Sequence, residues 1–139
     1  MKEEYMQFGE YIKTKRKKRE LTVTQVSEHL GMSRSYYSEI ENKIKPPFDE
    51  EKMELFAEFL DLSERETALL YDLASKYKGT VPSDIKDIFI HEEVGELARY
   101  ALRLSKWSDK PEAKWKQLIR ELEAEKRANN ENARNGGES

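Results

Sequence analysis

The sequence predicts an all-α protein, with a small N-terminal domain of helices followed by a C-terminal helical region. Three observations carry this. Apolar residues recur three and four apart along most of the chain, which lays them on one face of a helix. Three of these stretches open with Ser, Thr or Asp followed three residues later by Gln or Glu: Thr22-x-x-Gln25, Ser63-x-x-Glu66 and Asp109-x-x-Glu112. In that pattern each side chain satisfies a free backbone N–H of the first turn. No stretch shows the two-residue alternation that would make a strand.

Taken in order, Tyr5, Phe8 and Ile12 recur at helical spacing, so residues 3–18 read as the first helix. Thr22 caps a second, whose inner face is Val26 and Leu30, and Gly31 ends it because glycine tolerates a left-handed turn. Ser33 caps a third helix with Tyr37 and Ile40 inward, and Pro46-Pro47 breaks the chain. A fourth helix runs from about Glu50 to Leu60, with Met53, Phe56, Ala57 and Leu60 on one face. The Ser63 box starts a fifth, which continues through Ala68 to Tyr77. Gly79-Thr80-Val81-Pro82 reads as a hinge. Beyond it come a short helix (Ile85, Ile88, Phe89), a longer one (Val94, Leu97, Ala98, Ala101, Leu102) and a last one carrying Trp115, Leu118, Ile119 and Leu122. The expected organisation is a domain over 1–78, a helical region over 79–128 for dimerisation or a partner, and a disordered tail over 129–139, which has no apolar anchor.

Composition limits the function. Charged residues make up 38 % and apolar ones 37 %, a mixture that suits amphipathic helices with a limited core. There is no cysteine, which excludes disulfides and thiolate metal sites, and His29 and His91 stand alone with no ligand set at metal spacing. No phosphate loop, nucleophile–base arrangement or zinc motif appears, so no enzyme, cofactor or metal is expected. Lys2, Glu3 and Glu4 do not begin a signal peptide, and no apolar run approaches a membrane span, so the expectation is a soluble cytoplasmic protein. The net charge of −3 conceals an asymmetry: residues 1–47 hold ten Lys/Arg and seven Asp/Glu, residues 48–139 fifteen and twenty-one. A basic front half on an acidic back half fits a module that faces nucleic acid.

The second and third helices satisfy a stricter test. In a helix-turn-helix the two helices cross sharply, and set positions must be apolar or small for them to touch. Counting from Val23, the fourth, eighth, tenth, fifteenth and eighteenth residues are Val26, Leu30, Met32, Tyr37 and Ile40, all apolar or aromatic. The fifth, at the crossing, is the small Ser27, and the ninth is Gly31.

Residues 12–42 resemble the phage-repressor (Xre- or Cro-like) family of helix-turn-helix transcriptional regulators. The likeness lies in Ile12-x3-Arg16-x4-Leu21-Thr22, then Leu30-Gly31-Met32-Ser33-Arg34-Ser35, then Ser38-Glu39-Ile40-Glu41-Asn42, with Pro46 and Phe59-Leu60-Asp61-Leu62 downstream. It covers about the first half of the chain. It implies a five-helix domain that regulates transcription, as a repressor, and binds operator DNA as a homodimer. It also implies that Arg16 and Glu41 pair to tie helix one to helix three. Two residues depart from the pattern: Val23 stands where the family often has a Gln that braces the DNA backbone, and Lys43 where a Gly usually follows the Glu-Asn pair.

Candidate roles follow. Arg34 and Ser35 begin the third helix, where an Arg can donate two parallel bonds to guanine. Ser38 and Glu39 lie one turn on, and Glu39 can accept from a cytosine amino group. Tyr36 points outward toward a thymine methyl or a phosphate. Lys13, Lys15, Lys17, Lys18 and Arg19 form a basic run at the end of helix one, which also suits the helix dipole. Lys17 and Lys18, with Thr22, Asn42, Lys43 and Lys45 around the third helix, are the candidate phosphate contacts, which position a protein without reading sequence. The apolar C-terminal helices favour a shared core and hence a homodimer. Two other readings are an antitoxin-like autoregulator whose acidic C-terminal half holds a protein partner, and a phage-encoded protein-interaction inhibitor on the same fold.

Overall fold

The computed structural model describes residues 2–136, and among these every regular element is a helix. A 3-10 turn over Glu3–Tyr5 precedes α1 (Phe8–Lys18), α2 (Val23–Leu30), α3 (Arg34–Glu41), α4 (Glu50–Phe59), α5 (Glu64–Lys78), α6 (Lys86–Ile90), α7 (Val94–Ser105) and α8 (Pro111–Gly136). The chain is all-α with an N-terminal helix-turn-helix domain. It divides into two compact units, Met1–Ile90 and His91–Ser139. The boundary expected at residue 79 therefore lies inside the first unit. The segment after Gly79 stays with the first unit: Pro82 and Ser83 are half-buried, and burial first, then the Asp84 carboxylate, raises the Asp72 carboxyl.

The first unit is closed around Phe8, Tyr11, Ile12, Val26, Leu30, Tyr37, Ile40, Met53, Phe56, Leu60, Leu70 and Leu73, all buried. Within it α1 packs on α3 and α5, α2 on α3 and α4, and α4 on α5. Phe48, which follows the Pro46-Pro47 break, enters this core edge-on to Phe8 with ring centroids 5.1 Å apart and rests on Phe56 at 5.7 Å. The proline pair stands past the end of α3, which is already closed by the turn at Lys43, and leads the chain into the core at Phe48.

The first helix is shorter than its spacing predicts. Met6 and Gln7 are extended, α1 begins at Phe8, and Tyr5 is 72 % exposed; Tyr11 takes the inner position instead. The cause is tertiary. Lys15 is buried and needs a counter-charge, and the turn folds back to bring Glu3 within 3.0 Å of its ammonium. A continuous helix would hold those residues about 18 Å apart along its axis.

The helices α1 to α5 all end in the same way. A left-handed residue follows the helix, and the next N–H reaches the carbonyl five residues back: Leu21 to Arg16, Met32 to Ser27, Ile44 to Glu39, Leu62 to Ala57 and Thr80 to Ser75. Gly31 and Gly79 occupy two of the left-handed positions at φ 69° and 68°, but Glu20 (56°), Lys43 (66°) and Asp61 (50°) occupy the others. At three junctions an apolar residue and a hydroxyl N-cap complete the connection, as Glu20-Leu21-Thr22, Gly31-Met32-Ser33 and Asp61-Leu62-Ser63. The capping boxes at Thr22 and Ser63 are formed in both directions.

In the second unit α8 starts at Pro111, so Asp109 lies before the helix. Proline's fixed φ suits a first turn and disfavours helical geometry in the residue before it. Residues 129–136, expected as disordered tail, extend α8 to Gly136 with every side chain exposed; residues 137–139 lie outside the described residues. The Ala-, Glu- and Arg-rich turns upstream explain this, since a helix once nucleated gains a hydrogen bond with each added residue. No helix of the described residues is long and apolar enough to cross a membrane.

Candidate nucleic-acid interface

The site is built on α3, and α1 holds it from behind. Gly9 meets the end of α3 backbone to backbone: a Cβ placed there would lie 2.4 Å from the Ile40 carbonyl oxygen and 2.6 Å from that of Glu41. About two turns further along α1, Arg16 donates to both carboxylate oxygens of the buried Glu41, Nε at 2.7 Å and Nη2 at 2.9 Å. Its remaining nitrogen donates to the Leu21 carbonyl at 2.9 Å, so one guanidinium ties α1, the α1–α2 turn and α3 together. The Glu41 hydrogen bonds raise the Arg16 pKa against the cost of burial, and burial followed by the adjacent carboxylate pushes the Tyr37 phenol up.

With Tyr37, Ile40 and Glu41 held inward, the rest of α3 faces out. Arg34, Ser35 and Tyr36 are exposed, Tyr36 by 42 %, while Ser38 and Glu39 are half-buried one turn on. Ser33 caps the helix by accepting from the Tyr36 N–H at 3.1 Å. The entry to α3 is therefore fixed through backbone, and the Arg34 and Ser35 side chains stand exposed on its first turn. α2 crosses behind it at Ser27, which is buried and donates to the Thr24 carbonyl at 3.1 Å, too small to force the helices apart.

The flanking residues divide. Thr22 is exposed at the start of α2, where its backbone N–H donates to Gln25 Oε1 at 2.8 Å and its hydroxyl oxygen accepts from the Gln25 N–H at 3.0 Å. Asn42 is exposed and reaches Ser38 Oγ at 3.5 Å. The Lys45 ammonium sits 6.0 Å from the Tyr36 ring centre, joining these two candidates in a cation–π contact. Lys43, in its left-handed turn, pairs with Glu10 at 2.7 Å. Lys17 and Lys18 are exposed at the end of α1.

Two members of the basic run belong to the interior instead. Lys15 is 3 % exposed, bonded to Glu3 at 3.0 Å and Glu66 at 2.8 Å. Burial alone would lower its pKa, but the hydrogen bonds to Glu66 and Glu3 outweigh it and raise the pKa. Arg19 turns to the Leu60 carbonyl and to Glu66 at 3.4 Å. Glu66 is the hub: bonded first to Lys15 and then to the Ser63 backbone, its carboxyl is held down at about 2. Tyr11 donates to the Glu66 carbonyl at 2.7 Å and completes the clamp between α1 and α5. Sequence reasoning missed both Gly9 and this clamp. The one available signal was the helical row Phe8, Tyr11, Ile12, Lys15, Arg16, in which two cations continue an apolar stripe.

The charge asymmetry also resolves differently. Residues 48–90 hold five Lys/Arg against eleven Asp/Glu, whereas residues 91–139 hold ten of each. The acidic half is thus α4 to α6 of the first unit, and the C-terminal unit is neutral. Around Tyr71 the acids are dense enough that burial and then Asp84 raise the Asp72 carboxyl above its ordinary value. Among the described residues no group of three or more His, Asp and Glu could hold a metal ion.

No curated protein and no solved structure matches the chain. Residues 7–70, which run from the N-cap of α1 into α5 and contain every contact that mounts α3, match the family model described as a helix-turn-helix domain.

Proposed function

We propose that the chain is a sequence-specific DNA-binding transcriptional regulator of the phage-repressor kind, a cytoplasmic repressor that lays residues 33–42 in the major groove as a homodimer. The observation that carries this is the exposed first turn of a helix whose other face is pinned. Arg34, Ser35 and Tyr36 are exposed at the start of α3, while Gly9 and Arg16 of α1 hold its last turn at Ile40 and Glu41. Arg34 reads guanine by a bidentate contact, and Ser35, Ser38 and Glu39 read the neighbouring positions. Thr22, Asn42, Lys45, Lys17 and Lys18 hold phosphates; Lys43 joins them by leaving Glu10 for a phosphate. The acidic α4–α6 segment supports the same orientation, since a polyanion repels it and draws the basic N-terminal face inward.

Selection of bound sequences from random duplex DNA, at a fixed salt concentration, tests the reading. It should return an inverted repeat whose half-site contains a guanine. Arg34→Ala should lower affinity for that site by about 5- to 150-fold, the equivalent of roughly 1–3 kcal/mol, and relax selection at one position. An unchanged consensus and affinity would remove α3 as the reading element.

A further inference from the structure

The second unit has helices but no interior. Among residues 91–136 only Gly95 is buried, while nine large apolar side chains are exposed, Leu97 by 71 % and Trp107 by 86 %. α7 and α8 meet along an open cleft of about 310 Å³ between Ala101, Leu104 and Ser105 on one side and Trp115 and Leu118 on the other. A helix pair of this size does not hold itself together on propensity alone. At roughly 100 Å² each, nine such side chains offer about 900 Å², which meets the roughly 800 Å² per partner of a stable interface.

We infer that this face is covered by the same face of a second copy of the chain, with the two α7 helices antiparallel across a two-fold axis and the four helices sharing one core. The inference deepens the homodimer of the proposed function and rests on that reading for its purpose, though not for its physics. Two observations select a second copy as the occupant. The unit carries ten Lys/Arg and ten Asp/Glu, so two copies do not repel, and the face offers no excess of charge to a nucleic acid or a strongly charged protein. The exposed stripe Val94, Leu97, Ala101, Leu104 has spacings of three, four and three. It reads the same in both directions about residue 99, so an antiparallel copy sets Val94 against Leu104 and Leu97 against the small Ala101. The charged side chains of α7, Glu96, Arg99 and Arg103, lie on its opposite face and leave this stripe apolar, and an antiparallel pair opposes the two helix dipoles.

Sedimentation equilibrium of the full chain without DNA tests this, at concentrations from about 0.5 to 50 µM, a range that brackets micromolar affinity. The expected mass is twice 16.4 kDa. Leu97→Glu with Leu104→Glu should weaken association at least a hundredfold. Because that change can also melt the helix pair, a second measurement uses the absence of cysteine. With a short bis-maleimide, Ala101→Cys should cross-link two copies, and Arg103→Cys, on the charged face, should not. A monomer at every concentration overturns the inference, as does a dimer indifferent to the double substitution or cross-linked equally at both cysteines. Binding of a monomeric chain to phosphatidylcholine vesicles, with Trp fluorescence shifted to the blue, would also overturn it in favour of a lipid surface. A dimer that fails to select DNA would count against the DNA reading and leave this interface standing.

Discussion

Replacing Gly9 with alanine separates two physical expectations of opposite sign. Gly9 lies inside α1, where alanine is the better helix former by about 1 kcal/mol, so local propensity predicts a more stable protein. The structure predicts the reverse. The new Cβ would lie 2.4 Å from the Ile40 carbonyl oxygen and 2.6 Å from that of Glu41, against an ordinary carbon–oxygen contact of roughly 3.3 Å. Both obstacles are backbone, so no side chain can swing aside. α1 must retreat from α3 by close to an ångström, which would carry the 2.7 and 2.9 Å bonds between Arg16 and Glu41 beyond hydrogen-bonding range. Overpacking of this kind costs about 1–3 kcal/mol, and weakening a buried pair adds to it. Net of propensity, Gly9→Ala should lose about 2 kcal/mol, or roughly 10 °C in Tm. Urea unfolding followed by far-UV circular dichroism reads this as a lower midpoint at unchanged slope. A midpoint equal to or above the parent would show that α1 and α3 do not cross at Gly9, and the account of how α3 is mounted would fall.

Other perturbations reach different parts of the same unit. Glu41→Gln should cost about 3–5 kcal/mol in urea unfolding because it strands the Arg16 guanidinium; Arg16→Met with Glu41→Leu should recover most of the loss. Glu20→Gly, at a left-handed position with φ 56°, should raise stability by about 0.5–1 kcal/mol, since glycine relieves a cost of about 1–2 kcal/mol and returns part of it as unfolded-state entropy. Glu66, held at about 2 by Lys15 and the Ser63 backbone, favours the fold fully above pH about 4.5 and loses that contribution as pH falls toward 2. Solvent screening at this partly exposed group leaves on the order of 1 kcal/mol, and Glu66→Gln should flatten that part of the stability–pH curve. Lys17→Ala and Lys18→Ala should each lower affinity for all duplexes alike and reduce the salt slope by about one.

What the sequence made legible was local. The helix starts at Thr22, Ser33 and Ser63 were readable because a hydroxyl bonds an N–H three residues on, within one turn. Helix ends were readable where the apolar spacing stops, at Lys18 and within a residue of Phe59, and where glycine marks them, at Gly31 and Gly79. Glu20, Lys43 and Asp61 adopt the same left-handed turn because the apolar residue after two of them, Leu21 and Leu62, packs on the core and offsets the strain. A left-handed residue, an apolar residue and a hydroxyl cap form a pattern that repeats three times, and it carries more information than the glycine. Lys15 and Gly9 were opaque for another reason. Their roles are set by Glu66, 51 positions away, and by Ile40, 31 away, and no window along the chain contains those partners. Tyr5 was misassigned on the same account, since its helical spacing is real but the Glu3–Lys15 pair bends the chain before the helix begins.

The mounting of α3 makes a separable prediction about its two ends. Steric contact at Gly9 and the charge pair at Glu41 both act on its last turn, whereas Arg34 and Ser35 stand exposed on its first turn. The pinned residue Glu41 and the leading base-reading candidate Arg34 therefore lie at opposite ends of eight residues. Arg34→Ala should leave the urea midpoint within about 0.5 kcal/mol of the parent while lowering affinity for the selected site, as expected of a surface substitution. Glu41→Gln should do the opposite at temperatures where the protein is still folded: a large loss of stability, with residual affinity in proportion to the folded fraction and an unchanged consensus sequence. Measuring both quantities on both variants gives four values whose pattern is fixed in advance. If Arg34→Ala were to destabilise the fold, or Glu41→Gln were to change which bases are selected, the two ends of α3 would be acting as one element. The exposed first turn could then not be read as a surface kept free for DNA.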